Sequence, residues 1–170
     1  KKKNKEMSTA QGPYIKCIRD TILAALSIQN HASQIVDRHN KPEVEIGKSK
    51  ELVLSKLTIR RDEHEACLVE PSVNSVRISI TFRKNGEIEQ IIADRYMNFI
   101  MQRAEKLNIL RRKPVPGWDI SFLITNYHIE SMHREKLLDF ICDFIKDIDK
   151  DINHMKLDQN QRARQIDFNY

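Results

Sequence analysis

The chain has few of the residues that build common catalytic and metal sites. Its three cysteines, Cys17, Cys67 and Cys142, lie far apart and form no CxxC pair, so neither a disulfide framework nor a zinc site is indicated. They are typical of a reducing intracellular compartment. The four glycines are isolated from one another, and none belongs to a phosphate-binding loop of the GxGxxG or Walker type. Neither G-x-S-x-G nor HExxH occurs, which leaves hydrolase chemistry of those types without support.

Long hydrophobic runs are also missing. No stretch of about 18 uncharged apolar residues occurs, so the sequence predicts no membrane-spanning helix. The N-terminus is rich in lysine, but no apolar segment follows it as in a secretory signal peptide. Only four glycines and five prolines occur, which argues against long flexible linkers. The 170 residues, of which 40% are apolar, are typical of one domain with a sizeable core.

The net charge of +5 is concentrated at one end of the chain. Residues 1–6 contain four lysines and one glutamate, which leaves +2 for the remainder. We expect residues 1–6 to be a tail or a gene-model extension, with Met7 as a plausible N-terminus. We treat residues 1–12 as a Lys-rich N-terminal tail and residues 13–170 as a single α+β domain. A general nucleic-acid footprint would need a stronger basic bias than this domain carries.

The hydrophobic pattern predicts the order helix, three strands, helix, two strands, helix. The first helix opens at Gly12-Pro13, and its apolar stripe consists of Ile15, Ile18, Ile22, Ala25 and Leu26. The second follows the Asn85-Gly86 turn. The strand candidates are residues 52–59 with a bulge or bend near 54–57, then 67–69, 76–82, 109–113 and 118–125. Because short turns join neighbouring strands, we predict an antiparallel sheet of about five strands with packed helices, an α+β fold.

The most informative feature present is a heptad-spaced apolar seam on a long C-terminal helix, predicted at about residues 128–155. Additional apolar residues widen the apolar arc of its first half to roughly 200°, against about 100° for a helix with one core face. Burial of the six seam residues is worth roughly 9–18 kcal/mol gross. The helix therefore lies wholly on its own sheet or also contacts a partner chain. The seam residues are Leu138, Ile141, Ile145, Ile148, Ile152 and Met155.

Two basic groups remain. Arg111, Arg112 and Lys113 are adjacent to a proline-rich turn, while Arg162 and Arg164, with Lys156, lie beyond the seam. These residues are ordinary surface charge or a docking surface for an acidic partner. An alternative is a nucleic-acid-binding module that uses residues 111–113, but the chain has few aromatic residues for base stacking. No catalytic, cofactor-binding or metal-ligating residue is predicted, and an enzyme is the least supported class.

Several separated segments resemble one known family. They are residues 109–126 (ILRRKPVPGWDISFLITN), 38–45 (RHNKPEVE), 49–52 (SKEL), 74–77 (NSVR) and 155–157 (MKL) followed by 162–164 (RAR). These segments resemble the twenty-kilodalton subunit family, subunit 4, of the actin-related protein 2/3 complex. The resemblance covers about Pro13 to Arg164. The Lys-rich start and the segment from Gln165 to Tyr170 do not fit the pattern.

The resemblance implies a non-enzymatic scaffold without a cofactor, in the cytoplasmic actin cytoskeleton. In that family subunit 4 pairs with subunit 2 through long C-terminal helices, within a seven-subunit assembly that nucleates actin branches. Both subunits contact the side of the pre-existing filament, and neither nucleic acid nor a membrane is a partner. The seam residues would then meet subunit 2. Lys156, Arg162 and Arg164 would contact the acidic filament, and Arg111 and Arg112 would contact the filament or another subunit.

Overall fold

The computed structural model describes residues 2–28, 42–46, 53–82, 86–102, 109–111, 113–125, 128–129 and 133–167. We label the helices and strands in chain order. The helices are α1 (Lys2–Ile28), α2 (Glu43–Ile46), α3 (Glu87–Gln102) and α4 (Arg134–Asp167). The strands are β1 (Leu57–Arg60), β2 (Ala66–Pro71), β3 (Ser75–Thr81) and β4 (Ile120–Thr125).

The four strands form one antiparallel sheet in the order β1-β2-β3-β4. The predicted α+β fold is therefore confirmed, with four strands among the described residues in place of about five. The expected strand at 109–113 is reduced to an isolated bridge between Leu110 and Phe122. Pro114 follows closely, and because proline has no backbone N–H it cannot extend such a ladder. Arg112 lies outside the described residues.

The first predicted strand is shorter than expected. Val53 forms an isolated bridge with Ser72, and regular pairing begins only at Leu57. The interruption falls where the sequence predicts a bulge or bend. Leu52 lies outside the described residues. This edge of the sheet is therefore a short strand of four residues.

The two faces of the sheet differ in chemistry. The apolar face packs with α1 and α4 to form the core. Its buried residues are Cys67, Val69, Val76, Ile78, Ile80, Ile120, Phe122 and Ile124. On the other face the hydroxyls of Ser79 and Ser121 lie 2.9 Å apart, fully buried. The ion pair of Arg77 with Glu70, at 2.7 Å, lies on the same face.

Helix α1 begins at Lys2, well before the start at Gly12-Pro13 that the sequence indicates, so Pro13 lies inside it. Residues 2–11 are mostly good helix formers, and a single interior proline kinks or weakens a helix without always ending it. The predicted apolar stripe of this helix is confirmed, because all five of its residues are buried. The division into a tail and one domain stays a prediction.

Helix α4 has 34 residues and contacts both α1 and α3. It begins at Arg134 and continues to Asp167, twelve residues beyond the end predicted near 155. No glycine or proline follows Gly117, and residues 156–167 are mostly good helix formers, so no residue of that segment stops the helix. At 1.5 Å per residue α4 is about 51 Å long.

Candidate interaction surface

The first part of α4 belongs to the core of its own chain. Five of the six predicted seam residues are buried without any partner, as is the neighbouring Leu137. They pack in one cluster with α1 and the sheet. The side chains of Leu138, Ile141, Ile145, Ile148 and Ile152 therefore serve the fold itself. Their assignment to a partner interface stays a prediction, and the isolated chain lends it no support.

The last part of α4, residues 153–167, is different, and we name it the exposed end. Apart from Met155, which is partly buried, its described side chains are exposed to solvent. They include a large apolar one, since Leu157 is 58% exposed. The segment is about 22 Å long at 1.5 Å per residue. It is thus a length of helix that no described part of its own chain covers.

The predicted filament residues on this segment do not share one side of the helix. Arg162 and Arg164 are both exposed. They are two positions apart, which is roughly 200° around a helix at 3.6 residues per turn. Residues seven positions apart nearly coincide in angle, so Arg162 continues the line of Met155 and Arg164 continues the line of Leu157. The side chain of Lys156 is outside the described part of the chain.

Arg111 is engaged in a structural contact. Its Nε donates to Oε1 of Glu45 at 2.7 Å, and its Nη2 donates to Oε2 of the same carboxylate. This bidentate ion pair connects the segment before the proline-rich turn to α2. Asn74 Oδ1 in turn accepts from the Glu43 N–H at 3.0 Å. The predicted role of Arg111 in filament or subunit contact stays a prediction, as does that of Arg112, which lies outside the described residues.

A buried charge cluster lies where the β1–β2 turn meets α4. Nη1 of Arg61 donates to both carboxylate oxygens of Glu65, at 3.2 and 3.1 Å, and to Oδ2 of Asp149 at 3.2 Å. Glu65 is only 3% exposed. Burial, and secondly the Asp149 charge, raise the pKa of Glu65 to about 7, although Arg61 opposes the shift. From α1, Gln11 donates to Asp149 at 3.3 Å.

The sequence does not reveal this cluster, because residues 61–65 are a charged run that is typical of a solvated turn. Its partner Asp149 lies 88 positions from Arg61. Since Glu65 is almost fully enclosed and both its oxygens accept from Arg61, it is shielded from solutes. Through these hydrogen bonds and ion pairs, the cluster connects α1, the β1–β2 hairpin and α4.

Among the residues that the structure describes, no group of three His, Cys, Asp or Glu side chains is placed to hold a metal ion. None of the described helices combines the length and the apolar character needed to cross a bilayer. His128 accepts the Thr125 N–H at Nδ1, at 3.0 Å, and burial lowers its pKa. This contact connects His128 to the end of β4.

Known proteins match nearly the whole chain. The model of the ARP2/3 complex 20 kDa subunit family (ARPC4) matches residues 7–170. The actin-related protein 2/3 complex subunit 4 of Dictyostelium discoideum is 52% identical over 164 residues, which cover 96% of this chain and 97% of that protein. The probable subunit 4 of Caenorhabditis elegans is 50% identical over 158 residues, with 93% and 94% covered. The subunit 4 of Saccharomyces cerevisiae is 51% identical over 159 residues, with 93% of each covered.

The matched region is longer than the one indicated by the resemblance. It begins at residue 7 and ends at residue 170, beyond the expected limits of Pro13 and Arg164. The expectation that residues 165–170 depart from the family pattern is therefore wrong. The sequence blocks used for the resemblance were internal ones, and the terminal residues are less distinctive.

Proposed function

The chain belongs to the ARP2/3 complex 20 kDa subunit family, and we propose that it pairs with subunit 2 of that complex and contacts the side of the mother actin filament. The family resemblance found in the sequence is confirmed. The family is a structural one and not an enzyme family, so the chain is a subunit of the complex that carries no catalytic activity. The proposal concerns which partners this subunit contacts and with which residues. Its expected location is the cytoplasmic actin cytoskeleton.

The exposed end of α4 is the observation that carries the proposal. Short isolated helices are marginal in water, and most helical stability in proteins comes from packing of an apolar face. Beyond Ile152, however, no described part of the chain covers α4, and Leu157 remains largely in solvent. A helix of subunit 2 packed along the Leu157 side of residues 153–167 would bury Leu157. This contact is the apolar half of the proposal.

The two arginines supply the polar half. Actin is acidic, so exposed guanidinium groups suit its surface. Because Arg162 and Arg164 lie on opposite sides of the helix, one flat contact surface can engage only one of them directly. If the partner helix covers the line of Leu157, Arg164 lies within that contact and Arg162 faces away from it. We therefore expect Arg162 to dominate the filament contact and Arg164 to add less.

The nucleic-acid-binding alternative has no supporting observation. Its centre, residues 111–113, contributes one described guanidinium, and Arg111 already pairs with Glu45. The family membership points to a different class of partner.

Co-expression with subunit 2 tests the apolar half of the proposal. The variant Leu157→Asp should fail to retain subunit 2 through purification, because a charged side chain would replace the exposed apolar contact. Lys150→Glu is a matched control, since Lys150 is exposed on the same helix within the part that packs on the domain. Retention of subunit 2 by Leu157→Asp at the level of the control would refute the proposed pairing surface.

A branching assay on the assembled complex tests the filament contact. Arg162→Glu combined with Arg164→Glu should leave the complex intact and lower the branch density at limiting complex concentration. The two single variants should differ, with the larger loss for Arg162→Glu. Unchanged branch density in the double variant would remove both arginines from the filament contact.

A further inference from the structure

An open apolar groove of about 730 Å³ separates α1 from the edge of the sheet. From α1 it is lined by residues such as Pro13 and Ala24, and from the sheet side by Leu54, Leu57 and Pro71. The groove lies at the opposite edge of the sheet from β4. It is not part of the exposed end of α4, and none of the contacts proposed above uses it.

Leu57 makes this groove unusual. It is 53% exposed, although its position in the sheet would allow burial. Its cross-strand neighbour Val69 lies directly opposite in the antiparallel register and is fully buried. Directly opposite residues project from the same face, so the apolar face of the sheet continues outward to Leu57 and is left open there.

The backbone of β1 is open on the same side. Among the described residues β1 pairs with β2 alone, as the first strand of the sheet. The outer edge of such a strand presents unpaired N–H and C=O groups, which are a template for an added strand. An extended peptide bound in this way places alternate side chains in pockets beside the edge. The groove beside Leu57 is suited to receive one of them.

The charges along the edge indicate which peptide fits. Lys56 immediately precedes β1 and Arg60 ends it, and both side chains are exposed. None of the ion pairs found among the described residues involves Lys56 or Arg60. Asp20, whose carboxylate lines the groove, pairs with Lys16 at 2.6 Å. A second copy of β1 in antiparallel pairing would bring cations against cations, which disfavours self-association. Negative charge on the added strand is favoured.

We propose that β1 and its groove dock an extended acidic segment of another polypeptide. The segment adds as a further strand along residues 57–60 and places an apolar side chain in the groove beside Leu57. Its carboxylates lie near Lys56 and Arg60, about 14 Å apart along the strand at 3.4 Å per residue. This docking site is on a different element from the subunit 2 and filament contacts, so its success or failure is independent of theirs.

The test uses the assembled complex and a synthetic peptide of eight residues in which aspartate alternates with valine. Binding is followed by fluorescence anisotropy, and the docking position by hydrogen exchange at residues 57–60. The double variant Lys56→Glu, Arg60→Glu should weaken the acidic peptide about two- to thirty-fold and strengthen a matched peptide with lysine in place of aspartate. Leu57→Ser should weaken both peptides. Lys136→Glu, an exposed charge reversal on α4, should change neither.

Two results support the proposal. In one, the acidic peptide binds and slows exchange at residues 57–60. In the other, these amides are already slow in the assembled complex because a resident segment occupies the edge, and the double charge reversal makes them fast. Fast exchange without peptide binding would overturn the proposal, and so would binding or protection that is indifferent to the charge reversal.

Discussion

Arg61 and Asp149 connect the β1–β2 turn to the long helix, with Nη1 of Arg61 3.2 Å from Oδ2 of Asp149. The same nitrogen also holds the buried carboxylate of Glu65. One guanidinium thus serves two carboxylates, and the pKa of Glu65 is raised to about 7 in spite of its ion pair with Arg61. Burial disfavours the charged form most, and the Asp149 charge adds to the effect.

The first prediction is a pH dependence of stability. The folded state raises the pKa of Glu65 from an ordinary value of 4.5 to about 7, so it binds this proton more tightly than the unfolded chain does. The resulting stabilisation is fully present below pH 4.5 and is lost as the pH rises through 7. It amounts to roughly 3 kcal/mol. Glu65→Gln should remove this component, as measured by urea unfolding from pH 4.5 to 8.

The control for this prediction is Glu63→Gln, in the same turn but exposed. It should leave the pH profile of the parent chain unchanged. If Glu65→Gln and the parent lose stability equally between pH 4.5 and 8, the buried carboxyl does not carry the dependence.

The second prediction separates the two parts of α4. Ile145→Ala removes a side chain that is buried in the chain's own core and should cost about 2–5 kcal/mol in the free energy of unfolding. Leu157→Ala removes an exposed side chain and should change that quantity by less than about 0.5 kcal/mol. Denaturant unfolding of the purified chain measures both. Equal losses would mean that the exposed end is covered within the chain.

The third prediction assigns Arg111 to the fold. Arg111→Ala and Glu45→Ala should destabilise the chain by similar amounts, and the double variant by less than their sum. The coupling energy of such an exposed, two-pronged pair should be about 0.5–1 kcal/mol. Thermal unfolding of the parent chain, the two single variants and the double variant measures this coupling energy. A coupling energy near zero, with lower branch density for Arg111→Ala alone, would instead support a filament contact.

The apolar pattern predicts much of the fold because apolar residues at a regular spacing share one face of the helix or strand that they form. The stripe from Ile15 to Leu26 and the seam from Leu138 to Ile152 are buried as their spacing predicts. The pattern does not say which neighbour covers an apolar face, so the same seam is compatible with a partner or with the home sheet. The structure shows that the seam is covered by α1 and by the sheet of the same chain.

The ends of helices and the polar contacts were less predictable. Pro13 and the polar composition after Met155 are typical of helix boundaries, yet both helices continue past them. The cluster of Arg61, Glu65 and Asp149 depends on a contact across 88 positions, for which no local signal exists. The opposite orientation of Arg162 and Arg164, by contrast, can be predicted from the sequence, because residues two positions apart on a helix are separated by about 200°.

The fourth prediction concerns the buried hydroxyl pair of the sheet. Ser121 Oγ lies 2.9 Å from Ser79 Oγ and accepts the Val115 N–H at 3.0 Å. Ser121→Ala therefore leaves two groups without a partner and should cost about 1–3 kcal/mol. Ser79→Ala should cost less, because Val115 keeps its acceptor. The order of the two midpoints in urea unfolding checks the prediction, and a reversed order would contradict it.

The last prediction turns on a hydroxyl that the fold buries without a hydrogen bond. Tyr14 is almost completely buried, and its hydroxyl has no hydrogen-bond partner within the described residues. Burial also raises its pKa, so the hydroxyl remains protonated. A desolvated polar group without a partner costs free energy. Tyr14→Phe should therefore leave stability unchanged or raise it by up to about 1 kcal/mol, as measured by denaturant unfolding.

Tyr96→Phe is the matched control, and its expected effect on the free energy of unfolding has the opposite sign. Its hydroxyl donates to Oδ2 of Asp151 at 2.5 Å and so links α3 to α4. Tyr96→Phe should lower the free energy of unfolding by about 0.5–1.5 kcal/mol. If Tyr14→Phe is as destabilising as Tyr96→Phe, the Tyr14 hydroxyl has an acceptor after all. Glu65, whose charge already acts on the Tyr14 pKa, would then be the first group to test, because its titration would shift in the Tyr14→Phe variant.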